Sequence, residues 1–171
     1  MIKIISRFLS ISLLCSLVLI LQGCDNELLS RLDKLEGQAE ENMLAGQAFL
    51  KDNARQTGVA TTASGLQYRV LRTGAGPLPA LSDRVAVHYR GSLIDGSEFD
   101  NSYTRGEPAR FPLQGLIPGW QEALPMMRVG DHWKLFVPSG LAYGKRSPSP
   151  SIPPNSTLVF ELELLAIEEQ Q

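Results

Sequence analysis

From Leu158 to Leu164 every second residue is large and apolar, namely Leu158, Phe160, Leu162 and Leu164, and Glu161 and Glu163 stand between them. Successive side chains of a strand point to opposite faces. This run therefore offers one face to a core and the other to water. Val85, Val87 and Tyr89 alternate in the same way with Ala86, His88 and Arg90, and Trp133, Leu135 and Val137 share a face within Asp131–Val137. Leu66–Leu71 reads as a further strand before the turn Gly74-Ala75-Gly76-Pro77. Asp95-Gly96 marks a tight turn leading into Glu98-Phe99-Asp100. Arg110–Leu113 reads as a short edge strand, because Pro112 cannot donate to a ladder. The apolar face of such a sheet needs a cover. Pro118 suits the first position of a helix and Pro125 would break its interior, so Gly119–Leu124 is a short helix between them. The expected class is α+β, with one short α-helix covering a face of a curved antiparallel sheet.

Ahead of the sheet the period changes. From Glu27 to about Asp52, Leu28, Leu32, Leu35 and Ala39 recur at three- and four-residue spacing, and Leu44, Ala48 and Phe49 follow with a drift in phase. Gly37 and Gly46 each cost about 1 kcal/mol relative to alanine, so the helix leans on something else: a second copy, the globular domain, or simply water as a spacer. Gly58 and Thr61-Thr62-Ala63-Ser64-Gly65 end it.

The start of the sequence reads as a leader. Lys3 and Arg7 precede an apolar stretch from Phe8 to Leu21, shorter than the span of about 20 residues a bilayer requires and suited to a signal-peptide core. Leu21-Gln22-Gly23-Cys24 resembles a bacterial lipobox, in which Cys24 is lipidated and becomes the mature N-terminus. Cys15 would leave with the leader, so the mature protein has no partner for a disulfide. The expected division is a leader at 1–23, a lipidated N-terminus and helical linker at 24–63, and a folded domain at 64–171. Asp25 resembles an inner-membrane retention signal; which membrane holds the anchor stays open. A net charge of -2 gives no electrostatic case for nucleic acid.

The domain carries little conventional catalytic chemistry. His88 and His132 sit in strand-like segments without metal-ligand neighbours, so neither a metal nor a cofactor is expected. The strings VHYRGSLIDGSEFD, IPGWQEAL, VPSGLAYG and IPPNSTLVFELELL, in this order between about Ser64 and Ile167, resemble the FKBP-type peptidyl-prolyl cis-trans isomerases, and most of all their bacterial envelope branch of the macrophage infectivity potentiator type. The resemblance implies an antiparallel sheet half-wrapped around the short helix, with a site between them. It implies that Trp120 is the floor for a prolyl ring, that Tyr89, Phe99, Ile117 and Phe160 are walls, and that Leu116 is the rim. The Ile117 N–H and the Tyr143 phenol would bond substrate carbonyls. Asp100 would bond Tyr89 and pair with Arg105, and Ile152 would lie on the overhanging loop. Ala109 stands where many relatives have an aromatic, which implies a more open rim, and Ser147-Pro148-Ser149-Pro150-Ser151 is a stiffer loop than the glycine-bearing one common among relatives.

The implied function is a lipid-anchored isomerase in the bacterial envelope, facing the periplasm and acting on proline-containing unfolded or exported polypeptides, with residues 27–52 available for a homodimer. Two other classes compete: a holdase chaperone using the helix and pocket, and a non-catalytic binding module on the same fold. A proline-limited refolding assay separates them.

Overall fold

The computed structural model describes residues 2–168, with side chains from 27 to 168. The expected leader at 1–23 and the lipidation at Cys24 therefore lie outside the residues whose side chains are described. Helix α1 is Ile2–Asn53, and the protein divides between Gln38 and Ala39 into two compact units. In the first unit Arg31 pairs with Glu27 one turn earlier at 2.7 Å, and Leu28, Leu32 and Leu35 are 47–58% exposed.

The second unit holds the end of α1, then β1 (Ala60–Thr61), β2 (Gln67–Arg72), β3 (Arg84–Leu93), β4 (Glu98–Asn101), α2 (Ser102–Arg105), β5 (Ala109–Pro112), α3 (Pro118–Ala123), β6 (His132–Val137) and β7 (Leu158–Glu168). All pairings are antiparallel, in the order β1-β2-β6-β7-β3-β4. One edge of β3 is shared: β5 pairs with Arg84–Val87 and β4 with Arg90–Ser92, while β7 runs along the other edge. The α+β architecture matches the alternation. Val85, Val87, Leu135, Val137, Leu158, Leu162 and Leu164 are fully buried in one cluster with Ala123 and Leu124 of the helix region. Each large residue buried in this way contributes about 1.5–3 kcal/mol.

α3 is held where the sequence places it. Pro118 opens it, and a 3-10 turn over Leu124–Met126 replaces α-helix at Pro125, since proline has no N–H for the i−4 carbonyl. Gly119 lets the helix approach β6, for a Cβ there would lie 2.6 Å from Val137 Cγ1. Asp131 is the main buried carboxylate of this end, accepting the Gly74 N–H at 2.5 Å and the Arg128 N–H at 2.8 Å.

Residues 39–53 of α1 lie along this unit, and what docks is a polar set rather than the leucine stripe. Asn42 Nδ2 donates to the Pro154 carbonyl at 2.9 Å, and Asn155 Nδ2 donates back to the Ala39 carbonyl at 3.1 Å. Near the helix end Gln67 Nε2 reaches the Leu50 carbonyl at 2.8 Å and Asn53 Nδ2 reaches Gln67 Oε1 at 2.8 Å. Gly46 sits between these anchors, buried, with Thr157 occupying the place a Cβ would take. The glycine that weakens the helix in isolation is where the helix touches the domain. Phe49 rests against Phe136 at 6.0 Å between ring centroids, on the sheet face opposite α3.

Candidate active site

The site is built on Trp120. As the third residue of α3, with its N–H bonded to the Ile117 carbonyl at 2.9 Å, it lies under the sheet and is 4% exposed. Three rings stand nearly edge-on to its indole: Tyr89 of β3 at 5.2 Å and 84°, Phe160 of β7 at 5.1 Å and 80°, and Phe111 of β5 at 6.3 Å and 78°. Phe99 of β4 continues the wall, T-shaped on Phe160 at 5.7 Å. Edge-to-face pairing matches positive ring edges to negative faces, so the rings hold one another upright around the indole. The indole N–H has no hydrogen-bond partner among the described residues.

A polar strap closes one side. The Tyr89 hydroxyl donates to Asp100 Oδ2, Arg105 Nη1 pairs with Asp100 Oδ1, and Arg105 Nη2 reaches the Tyr89 oxygen at 3.2 Å. The Arg105 guanidinium also lies 5.5 Å from the centre of the Tyr89 ring. Burial and the Asp100 carboxylate push the Tyr89 phenol above its ordinary range. Burial opposes ionisation of Asp100, but the hydrogen bonds from Tyr89 and Arg105 prevail and hold its carboxyl below the usual range. Asp100 is a fixed anion and Tyr89 a fixed neutral donor. The short helix α2 supplies Arg105 at the right height: Asn101 caps its start by accepting the Tyr103 N–H at 2.9 Å, and Gly106 ends it at φ 78°. Ser102, fully buried, ties α2 to the wall strand through the Tyr89 N–H at 2.8 Å.

At the opposite side, Ile117 caps α3 with extended backbone. Its carbonyl accepts from the helix, whereas its N–H makes no hydrogen bond among the described residues. Gln121 holds this corner by donating to the Gln114 and Leu116 carbonyls at 3.0 and 2.7 Å. Tyr143, 38% exposed on the loop after β6, has no hydrogen-bond partner for its hydroxyl among the described residues, and burial together with the Asp100 charge raises its pKa. Ile152, buried in the core cluster, sits where Ser147 Oγ folds the loop back with bonds to the Ser149 and Ile152 carbonyls, both 2.8 Å.

The structure thus gathers Tyr89, Phe99, Asp100, Arg105, Trp120 and Phe160 into one linked group, with Ile117, Leu116 and Ile152 packed in or against the same cluster. Tyr143 makes no ring contact and no side-chain hydrogen bond to this group among the described residues, although the Asp100 charge bears on its phenol. Two members escape the sequence patterns. Phe111 reads only as part of an edge strand, although its pairing opposite Val85 turns it onto the indole. Gly91 gives the wall its room: a Cβ there would lie 2.6 and 2.7 Å from Phe99 Cε2 and Cζ and 2.9 Å from Phe160 Cε1.

The site is thus a short helix under an antiparallel sheet, with an aromatic basin over its indole and a tyrosine–aspartate–arginine strap on one side. The sequence matches the family described as "FKBP-type peptidyl-prolyl cis-trans isomerase" over residues 76–165, and "Domain amino terminal to FKBP-type peptidyl-prolyl isomerase" over 20–70. The chain belongs to the FKBP-type peptidyl-prolyl cis-trans isomerases. It is 54% identical over 142 residues to the FKBP-type 22 kDa peptidyl-prolyl cis-trans isomerase of Escherichia coli K12, covering 82% of this chain and 69% of that one. It is 46% identical to the outer membrane protein MIP of Legionella longbeachae, covering 77% and 57%. The crystal structure of FkpA from Escherichia coli superposes with a TM-score of 0.75 at 50% identity, covering 79% of this chain and 63% of the other. The chain spans about half the length of FkpA proteins from several bacteria.

Proposed function

We propose that the basin over Trp120 binds a prolyl ring and accelerates rotation of the preceding peptide bond in exported polypeptides. In the same reading a lipid on Cys24 holds the protein in the bacterial envelope, facing the periplasm. The observation that carries the pocket reading is the set of three rings edge-on to one buried indole, bordered by a strap whose only anion is already neutralised.

The chemistry needs no proton transfer. Amide conjugation sets a barrier of about 18–20 kcal/mol. Twisting the bond removes conjugation and leaves less charge separation than the planar amide. A dry site therefore favours the twisted form over the ground state, which is differential binding. Trp120 is the floor, and Tyr89, Phe99, Ile117 and Phe160 are the walls that exclude water. The Ile117 N–H and the Tyr143 hydroxyl donate to carbonyls flanking the proline and hold the backbone while the bond turns. Asp100 and Arg105 keep the Tyr89 ring upright, and Leu116 and Ile152 border the groove beside it. A hundred- to million-fold acceleration requires only about 3–8 kcal/mol, within reach of a few hydrogen bonds and an apolar enclosure.

The envelope reading draws on the lipobox-like Leu21-Gln22-Gly23-Cys24 and on the printed name of the Legionella relative, an outer membrane protein. The exposed leucines Leu28, Leu32 and Leu35 fit a second copy of the protein packed along residues 27–52. The testing experiment is refolding of a protein limited by a cis-proline. Wild type should accelerate the slow phase, and Phe99→Ala and Asp100→Ala should each abolish most of that effect. Aggregation suppression that survives in these variants would reveal a separate chaperone activity. A wild type without acceleration would end the reading.

A further inference from the structure

The face of the sheet turned away from Trp120 carries a row of cross-strand charges that does not close. Arg69 of β2 stands opposite Lys134 of β6, Lys134 opposite Glu161 of β7, and Glu161 opposite Arg90 of β3. Glu161 serves both neighbours, Arg90 at 3.3 Å and Lys134 at 3.5 Å, and Arg90 also reaches Glu98 at 4.0 Å. Three cations thus meet two carboxylates, and the row lacks one negative charge. The shortfall falls at Arg69, whose Nε is buried with no hydrogen-bond partner among the described residues. A buried donor left without a partner is costly, and more so on a charged group. Arg69 and Lys134 line a cavity of about 330 Å³ between the sheet and the end of α1, walled by Phe49, Phe136, Leu93 and Val159. Its border carries Gln56 and Ser92, whose side chains make no hydrogen bond among the described residues. The volume lies at the small end of ligand pockets, enough for one large apolar side chain and the group beside it.

We propose that this cavity is a second polypeptide-binding site, on the opposite face of the sheet from the prolyl basin, and that it takes an apolar side chain next to a peptide carboxylate. The carboxylate accepts from the Arg69 guanidinium and from Lys134, completing the row; a monoanion fits the single missing charge. The apolar group enters between Phe49 and Phe136, while Ser92 and Gln56 meet the peptide backbone. A polypeptide's free C-terminus and an acidic residue supply the same group, so both are tested.

The test is an amide-resolved NMR titration of the full-length protein with three proline-free peptides: Ac-Ala-Phe-Leu with a free carboxylate, the same peptide as its C-terminal amide, and Ac-Glu-Phe-Leu amide. The free acid should shift the amides of Leu93 and Gly96 and bind at least tenfold more tightly than its amide. Ac-Glu-Phe-Leu amide binding like the acid identifies side-chain carboxylates as sufficient; binding like the simple amide identifies free C-termini. Both results support the site. Arg69→Gln should weaken the acid at least tenfold and leave prolyl isomerisation unchanged. Equal binding of acid and amide, an Arg69→Gln variant that binds like wild type, or shifts confined to residues around Trp120 would each overturn it.

Discussion

Gly91→Ala should damage the isomerase more than it damages the fold. The backbone at Gly91 is ordinary strand, outside the positive-φ positions, and alanine there restricts the unfolded state, a gain of about 0.4–1 kcal/mol. Against this, the new methyl would lie 2.6 and 2.7 Å from the Phe99 ring and 2.9 Å from Phe160, where carbon pairs are content at about 3.5–4.0 Å. Phe160 is buried and held by Trp120, so Phe99, which is partly exposed, must withdraw by about 1 Å. Overpacking of this sort costs about 1–3 kcal/mol, and the net destabilisation should be about 0.5–2 kcal/mol. The catalytic effect should be larger: displacement of a site element by about 1 Å can cost about a hundredfold, equivalent to about 2.7 kcal/mol of barrier. A cis/trans assay on an Xaa-Pro tetrapeptide, read as kcat/KM, measures this, and urea unfolding gives the stability change. In a Phe99→Ala background the same substitution should cost much less than in wild type, because the two shortest overlaps are gone and only the 2.9 Å approach to Phe160 remains. A Gly91→Ala variant with kcat/KM within about twofold of wild type would refute the idea that Phe99 walls the pocket.

The Asp100 carboxyl is held below its ordinary range and the Tyr89 phenol above its own. A depressed carboxyl contributes stability above its unfolded pKa of about 3.9 and loses it as pH falls through the folded value. A raised phenol contributes below its unfolded pKa of about 10 and loses it as pH climbs through the folded value. The strap therefore stays intact between about pH 5 and 9, and kcat/KM should be flat there; a bell centred near neutrality would show that a proton is transferred after all. Gly46→Ala should lower stability by about 1–2 kcal/mol with kcat/KM unchanged. The helix-propensity gain of about 1 kcal/mol is outweighed by overlap with the Thr157 side chain, and a variant stabilised by its full propensity gain in urea unfolding would show that α1 does not rest on Thr157.

Much of this arrangement is legible in the sequence because strands write their burial in alternate residues. Leu158, Phe160, Leu162 and Leu164 declare a core face without help from any partner, and Pro118 and Pro125 bound the one helix beneath it. Where meaning comes from a neighbour distant in sequence, the residues alone are silent. Phe111 looks like any aromatic in a proline-ended edge strand until β5 pairs with the same edge of β3 that presents Tyr89. Gly91 reads as a weak point in a strand, yet two rings from β4 and β7 share its missing side chain. Gly46 reads as a cost to α1, and its reason lies in Thr157, far along the sequence. Arg69 reads as one more solvent-facing charge, because the carboxylate it lacks is a property of four strands together.

Magnetisation-exchange NMR on a short Xaa-Pro peptide in the presence of the full-length protein tests the central claim most directly. Cis and trans signals of the peptide should exchange rapidly only when the protein is present, and the prolyl ring protons should show intermolecular NOEs to the Trp120 indole and the Phe99 ring. Catalysed exchange without contact to Trp120, or NOEs to the indole without any catalysed exchange, would contradict it.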